Sequence, residues 1–297
     1  MKGEHSMQVG TASVSWGYDP LYTWTSPPPF EQLLDEIAAS GYEGTEISYH
    51  FPMDVASLRA DLARRNLRAA ATFHEVQLLD PTRHNEEITR MLPVAGRLQE
   101  LGCDILILSD TTSPRRLAVA GRVAPDGSDG LDDGQWQALA LGLNRMGEAL
   151  RGRGMRAVVH PHVGTYIETR AEIDRLCALT DPALIGLCPD TGHLAYAGVD
   201  PESVFVDYAS RVWYVHLKDV NAAKLEAVRA QRLDFAAGVR FGLFVPLGQG
   251  MVNMDRIFDA LRGSGYDGWI IAEQDAPAQP LAAAKASRAF LRDRYGL

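Results

Sequence analysis

The chain has 297 residues, 46% hydrophobic and 23% charged, enough to bury a large core, and its length fits one α/β barrel or two ordinary domains. A formal charge of −9 argues against nucleic-acid binding, which needs clustered Lys and Arg that this chain concentrates nowhere, and leaves a small molecule as the expected ligand. Cys103, Cys177 and Cys188 are odd in number and far apart, which excludes a disulfide framework and a CxxC metal motif and suits a reducing cytoplasm.

The opening MKGEHSMQVG lacks the apolar stretch of a signal peptide, and no uninterrupted apolar run approaches the roughly 20 residues of a membrane helix. The expectation is a cytoplasmic protein with no membrane partner. Residues 1–6 read as a disordered leader, with Met7 an alternative start, and residues 7–297 as one barrel.

From there, short β-rich runs alternate with amphipathic segments to the end of the chain. Strands are predicted at 8–14, 44–50, 67–76, 104–110, 156–163, 184–190, 212–220 and 268–275. Between them, FEQLLDEIAASGYEG sets Leu33, Leu34, Ile37 and Ala38 on one helical face and stops at Gly41, and Asp54, Thr169 and Asp200 are candidate N-caps, with Pro201 at the first helical position after the last. Eight βα units in fewer than 300 residues, without a GxGxxG turn after the first strand, predict a single-domain (β/α)8 TIM barrel rather than an open dinucleotide-binding sheet. The long stretches 111–131 and 221–250 both follow strands, so both are expected over the catalytic face as lids or substrate walls.

In such a barrel, polar residues at strand C-termini carry the chemistry. The fifth strand ends HPH, with His160 and His162 on one face; the sixth ends in Asp190; the seventh carries His216 and the eighth Glu273. Singly, each is as well explained by a local hydrogen bond or a helix cap. Four neighbouring strand ends together point to a divalent metal, and the mixture of imidazole and carboxylate suits Mn, Co, Zn or Fe better than Mg or Ca.

Other residues are placed around that centre. His193 is expected to bind a substrate hydroxyl, relay a proton or orient Asp190. Lys218 shares an inward face with His216, where its ammonium would neutralise an enediolate or protonate a leaving hydroxide, unless it is spent on Asp219 or another local carboxylate. Glu46 and His74 fall on the opposite wall as substrate contacts or buried structural groups. His50 and His84 read as solvated or local hydrogen-bonding residues; the aromatic group Trp16, Tyr18, Tyr22 and Trp24 reads as loop packing ahead of an apolar wall, and Arg115 and Arg116 as exposed loop arginines ahead of contacts for an anionic substrate. No GxSxG elbow, P-loop or Cys/His nucleophile pair is present.

At HPHVGTYIETRAEID, CPDTGHLAYAG, VHLKDV and WIIAEQD the sequence resembles the xylose isomerase-like barrel superfamily. Within it, SW at 15–16, GYEGTEISYHFPMD at 41–54, HPHVGT, DTGHLAYAG, HLKD and F-x-PLGQG at 244–250 follow the order of the inosose (2-keto-myo-inositol) dehydratase family. The resemblance implies a metal shell of His160, Asp190, His216 and Glu273, with His162 and His193 near substrate. It also implies that His160 stands at a position where superfamily epimerases use a glutamate, which favours dehydration over 3-epimerisation because the opposed pair of glutamates is lost. The first loop, the TFHEVQLLD stretch and VNM at 252–254 depart from the dehydratase pattern.

The chemistry so implied is proton abstraction beside a ketone, with Glu273 or His193 as base, and protonation of the departing β-hydroxyl by Lys218 or the other of those two. The substrate would be an unphosphorylated keto-sugar or polyol. An isomerase or epimerase shares the first half of that sequence, and a non-catalytic metal-binding subunit remains an alternative. An abasic-DNA endonuclease of the same superfamily would need a basic groove. Assembly as a homo-oligomer is left open.

Overall fold

The computed structural model describes residues 7–297, so the expected leader over residues 1–6 lies outside the described residues. Ten strands form in chain order: β1 (Gln8–Thr11), β2 (Gly44–Ile47), β3 (Arg68–Val76), β4 (Ile105–Asp110), β5 (Arg156–Val159), β6 (Ile185–Leu187), β7 (Val215–Leu217), β8 (Asp219–Val220), β9 (Phe244–Val245) and β10 (Trp269–Ala272). All eight predicted strands are among them. They pair in the order β6-β5-β4-β3-β2-β1-β10-β7, and every pairing is parallel. The ring closes through parallel bridges joining Leu187 to Val212 and Asp190 to His216, where the amides of Trp213 and His216 donate to the carbonyls of Leu187 and Pro189, both at 3.1 Å. β8 and β9 form a separate antiparallel pair within the long segment after β7.

Alternation along the strands splits the core into two layers. Ala12, Ile105, Ile107, Val158, Cys188, Tyr214 and Ile271 pack together inside the barrel. Leu106, Leu108, Val159, Leu187, Val215, Leu217 and Ile270 point the other way, into the larger core shared with the helices. The helix Phe30–Ala39 shows the matching stripe: Leu33, Leu34 and Ile37 are fully buried, each stabilising by roughly 1.5–3 kcal/mol. It ends in a turn at Gly41, whose φ of +85° suits a residue without a side chain. Asp54, Thr169 and Asp200 all cap helices through their side chains, and Thr169 completes a capping box with Glu172. Among the described residues no helix is long and apolar enough to cross a membrane.

The two long segments carry secondary structure of their own. The first holds the helix Pro114–Val119, the second the helices Ala222–Ala230 and Phe235–Arg240. Arg116, expected on an exposed loop, is instead completely buried. Its guanidinium donates to both Glu172 oxygens, at 2.7 and 3.1 Å, and lies 3.6 Å from Glu168. Glu168 in turn accepts from the amides of Gly121 and Gly164, so one charge network joins the segment after β4 to the loop after β5. The reason is local: the helix Pro114–Val119 turns Arg116 inward, where two carboxylates compensate it. His84 is also fully buried, bonded to the Leu78 carbonyl at 2.9 Å.

Arg116→Ala leaves those carboxylates buried without a partner and should lower unfolding stability by about 3–5 kcal/mol, read by denaturant titration. Asp110, at the end of β4, accepts from the Tyr166 amide at 3.0 Å, and burial pushes its carboxyl up to about 6. The folded state therefore holds this proton more tightly than the unfolded chain, and stability falls as pH rises from the ordinary aspartate value through about 6. Asp110→Asn should remove that loss, stabilising the protein by up to about 3 kcal/mol at pH 7 and by nothing at pH 3.

Candidate metal and substrate site

Polar side chains gather at the C-terminal end of the barrel because period-two alternation continues past the last strand residues. Tyr214, His216 and Lys218 share one face, as do Ile271, Glu273 and Asp275, and Val158, His160 and His162. A cavity of about 540 Å3 opens there, lined among others by His160, His162, His193, His216, Lys218, Glu46 and Glu273. The helix Phe235–Arg240 contributes Phe235, whose ring lies 5.4 Å from that of His193.

Hydrogen bonds set the imidazoles. The Glu46 carboxylate accepts from Nε2 of His216 at 2.7 Å, so Nδ1 is the nitrogen facing Asp190 Oδ2 at 3.7 Å and Glu273 Oε2 at 3.4 Å. The carbonyls of Cys188 and Val163 take the Nδ1 protons of His160 and His162, at 3.1 and 2.7 Å. Burial holds both rings below the ordinary histidine value, His162 at about 4, so each presents a bare Nε2. His216 is the opposite case: burial alone would lower it, but Cys188, Glu273 and Glu46 override that and raise it well above the usual value.

Asp190 caps the helix Thr191–Tyr196. Its Oδ1 accepts from the amides of Gly192 and His193 at 2.8 and 3.0 Å, while Oδ2 has no hydrogen-bond partner. Burial pushes its carboxyl up, but Lys218 above all holds it well below the usual range. Lys218 is 3% exposed, and its ammonium lies 3.0 Å from Glu273, 3.0 Å from Asp275, 3.3 Å from Asp190 and 3.2 Å from His193 Nε2. Those carboxylates outweigh its burial and hold the ammonium protonated. Gly192 permits this approach, since a Cβ there would fall 2.4 Å from Lys218 Cβ.

Asp219, the counter-ion anticipated for Lys218, is engaged elsewhere. It accepts from the amides of Gly248, Gly250 and Val252 at 2.9, 2.8 and 3.1 Å and so pins the PLGQG turn. The other displaced residue is His74, which does not line the cavity. Between β2 and β3 the pairing runs from Thr45–Ala69 to Ile47–Thr72, so β3 carries one extra residue. That bulge reverses the alternation beyond it. Phe73 and Glu75 face the cavity, and His74 points toward Arg90 and Glu87 of the outer helix, where burial lowers its pKa to about 4.

Three residues went unremarked in the sequence. Asp275 could have been found from period two, since it follows Glu273 by two positions; the Tyr22 hydroxyl donates to it at 2.6 Å, bringing the first loop to the last strand. Glu75 could not, because nothing local marks the bulge. Asp110 follows Leu106 and Leu108 on the face of β4 that alternation turns away from the barrel interior, so only the fold shows that, at the strand's end, it reaches the cavity.

Two buried atoms without hydrogen-bond partners, Asp190 Oδ2 and His216 Nδ1, thus face one another beside Glu273. This mixed oxygen and nitrogen set fits a divalent transition metal. Groups with ligand atoms within 4.8 Å of one another are Glu46–His216–Glu273, His160–Cys188–His216 and His160–His162–His193. Asp190 falls outside these groups; the Lys218 ammonium lies 3.3 Å from it and 3.0 Å from Glu273, and its Oδ2 approaches His216 Nδ1 at 3.7 Å, within reach of a shared ion.

Known proteins agree with this architecture. An inosose dehydratase of Geobacillus kaustophilus (strain HTA426) is 37% identical over 298 residues, covering 98% of this chain and 95% of the relative. One from Lacticaseibacillus casei is 34% identical over 289 residues, covering 96% of each. Among solved structures, a probable 3-DHS dehydratase from Bacillus anthracis superposes with a TM-score of 0.74 at 15% identity over 97% of this chain and 100% of that one, and an L-ribulose 3-epimerase with 0.69 at 18% identity over 96% and 93%. At such identities these two speak for the fold alone. A family model described as a xylose isomerase-like TIM barrel matches residues 34–294, and with full-length relatives above 30% identity the chain belongs to that family.

Proposed function

We propose that this protein dehydrates an inosose, a cyclic keto-polyol, using one divalent metal, Mn, Co, Zn or Fe, held by His160, Asp190, His216 and Glu273. The observation that carries this reading is the buried convergence of Asp190 Oδ2 and Glu273 Oε2 on His216 Nδ1, at 3.7 and 3.4 Å, in a chain similar along its whole length to inosose dehydratases. A bound ion of this kind acts as a Lewis acid on a ketone oxygen and so acidifies the adjacent C–H.

The chain's own groups divide the remaining work. Glu273, whose carboxyl is pushed up by burial against the pull of His216 and Lys218, takes the α-proton, and the C–H electrons become the new C=C bond. Lys218 hands a proton to the β-hydroxyl as its C–O bond breaks, so that water leaves and the enol product relaxes to a diketone. The α-proton held on Glu273, 3.0 Å from the lysine nitrogen, then reprotonates Lys218, while His193, a neutral imidazole, accepts from the ammonium at 3.2 Å and orients it. His162 offers a neutral acceptor to a substrate hydroxyl, and Phe235 excludes water from one side. His160, a neutral imidazole, supplies no second carboxylate for returning a proton to the opposite face, which favours elimination over epimerisation.

Cobalt- or manganese-loaded protein incubated with 2-keto-myo-inositol in D2O should release water, followed by product mass and NMR, and Glu273→Ala should abolish the release. Deuterium entering a ketose panel without water loss would make the protein an isomerase or epimerase. Glu46→Gln, which weakens the bond orienting His216, should lower cobalt affinity about 10- to 100-fold in a calorimetric titration while the fold persists.

A further inference from the structure

The cavity has two walls of different character. On the metal side every charge has a partner: Lys218 meets Asp190, Glu273 and Asp275, and His216 meets Glu46. The facing wall, from the first loop, β3 and β4, supplies Asp19, Glu75 and Asp110, and none of these forms an ion pair among the described residues. Asp19, Glu75, Lys218 and Asp275 all line this one cavity, so the two walls bound a common space. Among the described residues no arginine lines the cavity, and the one ammonium that does is already shared among three carboxylates.

Glu75 is the exposed member of that wall. The β3 bulge turns it inward together with Phe73, whose ring packs on those of His160 and His162 at 5.8 and 6.3 Å. Its neighbour across the β3–β4 pairing is Ser109, which also lines the cavity. Its carboxylate forms no hydrogen bond with the described residues, so its acceptors are open to whatever fills the space. Asp110 and His193, only 5% and 2% exposed, reach the same cavity, and His193 Nδ1 has no partner.

We infer that Glu75, supported by Asp110 and Asp19, is a specificity-determining residue that reads substrate hydroxyls on the side away from the metal and restricts the site to uncharged polyols, rejecting phosphorylated ones. A carboxylate accepts hydrogen bonds from hydroxyls and gains more from them than a neutral acceptor does. The same carboxylate repels a phosphate dianion, and no cation on this wall compensates. This inference rests on the proposed keto-polyol reading for its substrate but not for its measurement, which is binding rather than turnover.

The test is calorimetric titration of cobalt-loaded protein with myo-inositol and with myo-inositol 1-phosphate. The unsubstituted protein should prefer the uncharged ligand by at least about 30-fold. Glu75→Gln should weaken inositol binding about 3- to 10-fold, and Glu75→Lys should narrow the preference by about 10-fold or more by gaining affinity for the phosphate. Thermal melting of both variants checks that the exposed position leaves the fold intact. Equal affinities in the unsubstituted protein, or a preference unmoved by Glu75→Lys as when the phosphate binds only to the metal, would overturn the assignment. Failure of the water-release assay with this preference intact would refute the dehydratase reading alone.

Discussion

The site is organised around one buried ammonium. Lys218 is almost wholly excluded from solvent, and a charge so placed is tolerable only where opposite charges surround it. Asp190, Glu273 and Asp275 do so from two strands that reach Lys218 through different parts of the barrel: β10 pairs with β7, and β6 meets it across the closing bridges. Much else follows from accommodating that lysine. Gly192 has no side chain because Lys218 passes over it, Thr191 exchanges hydrogen bonds with the Lys218 backbone at 2.7 and 2.9 Å, and Tyr22 holds the far oxygen of Asp275.

The same arrangement explains how a lysine and a metal site can coexist. Asp190 and Glu273 belong to the proposed ion as well as to the ammonium, whereas Asp275 serves Lys218 without belonging to the ligand set. A cation at Asp190 and Glu273 therefore leaves Lys218 one counter-ion of its own. Glu46 plays the matching part for His216, taking its second nitrogen and fixing which one faces the centre.

The strands, the helix caps and the grouping of His160, Asp190, His216 and Glu273 at strand ends were legible because each is a local property of spacing. Alternation by two is enough to aim a side chain so long as the strand is regular. It failed at β3, where one extra residue turned His74 outward and Glu75 inward, since a bulge is decided by pairing with β2 and leaves no mark in TFHEV itself. Local reading also failed at Arg116, which resembles any loop arginine until Glu168 and Glu172 are brought to it from more than 50 positions along the chain. At Asp219 alternation held: adjacent residues on a strand point to opposite faces, so of the two readings for Lys218, Asp219 or another carboxylate, the structure gives the second. Local pattern gave the direction of most side chains, and long-range pairing decided the exceptions.

The strand order has a temporal side. β1 is made first and β10 last, yet they are paired neighbours, and Glu273 and Asp275 follow directly after β10. His160, Asp190 and His216 precede Glu273 and Asp275 along the chain, so until β10 is in place Lys218 lacks two of its three counter-ions. Insertion of the final strand between β1 and β7 brings Glu273 and Asp275 to Lys218, which makes the last barrel strand both the closing element of the fold and the one that completes the counter-ions of the buried ammonium.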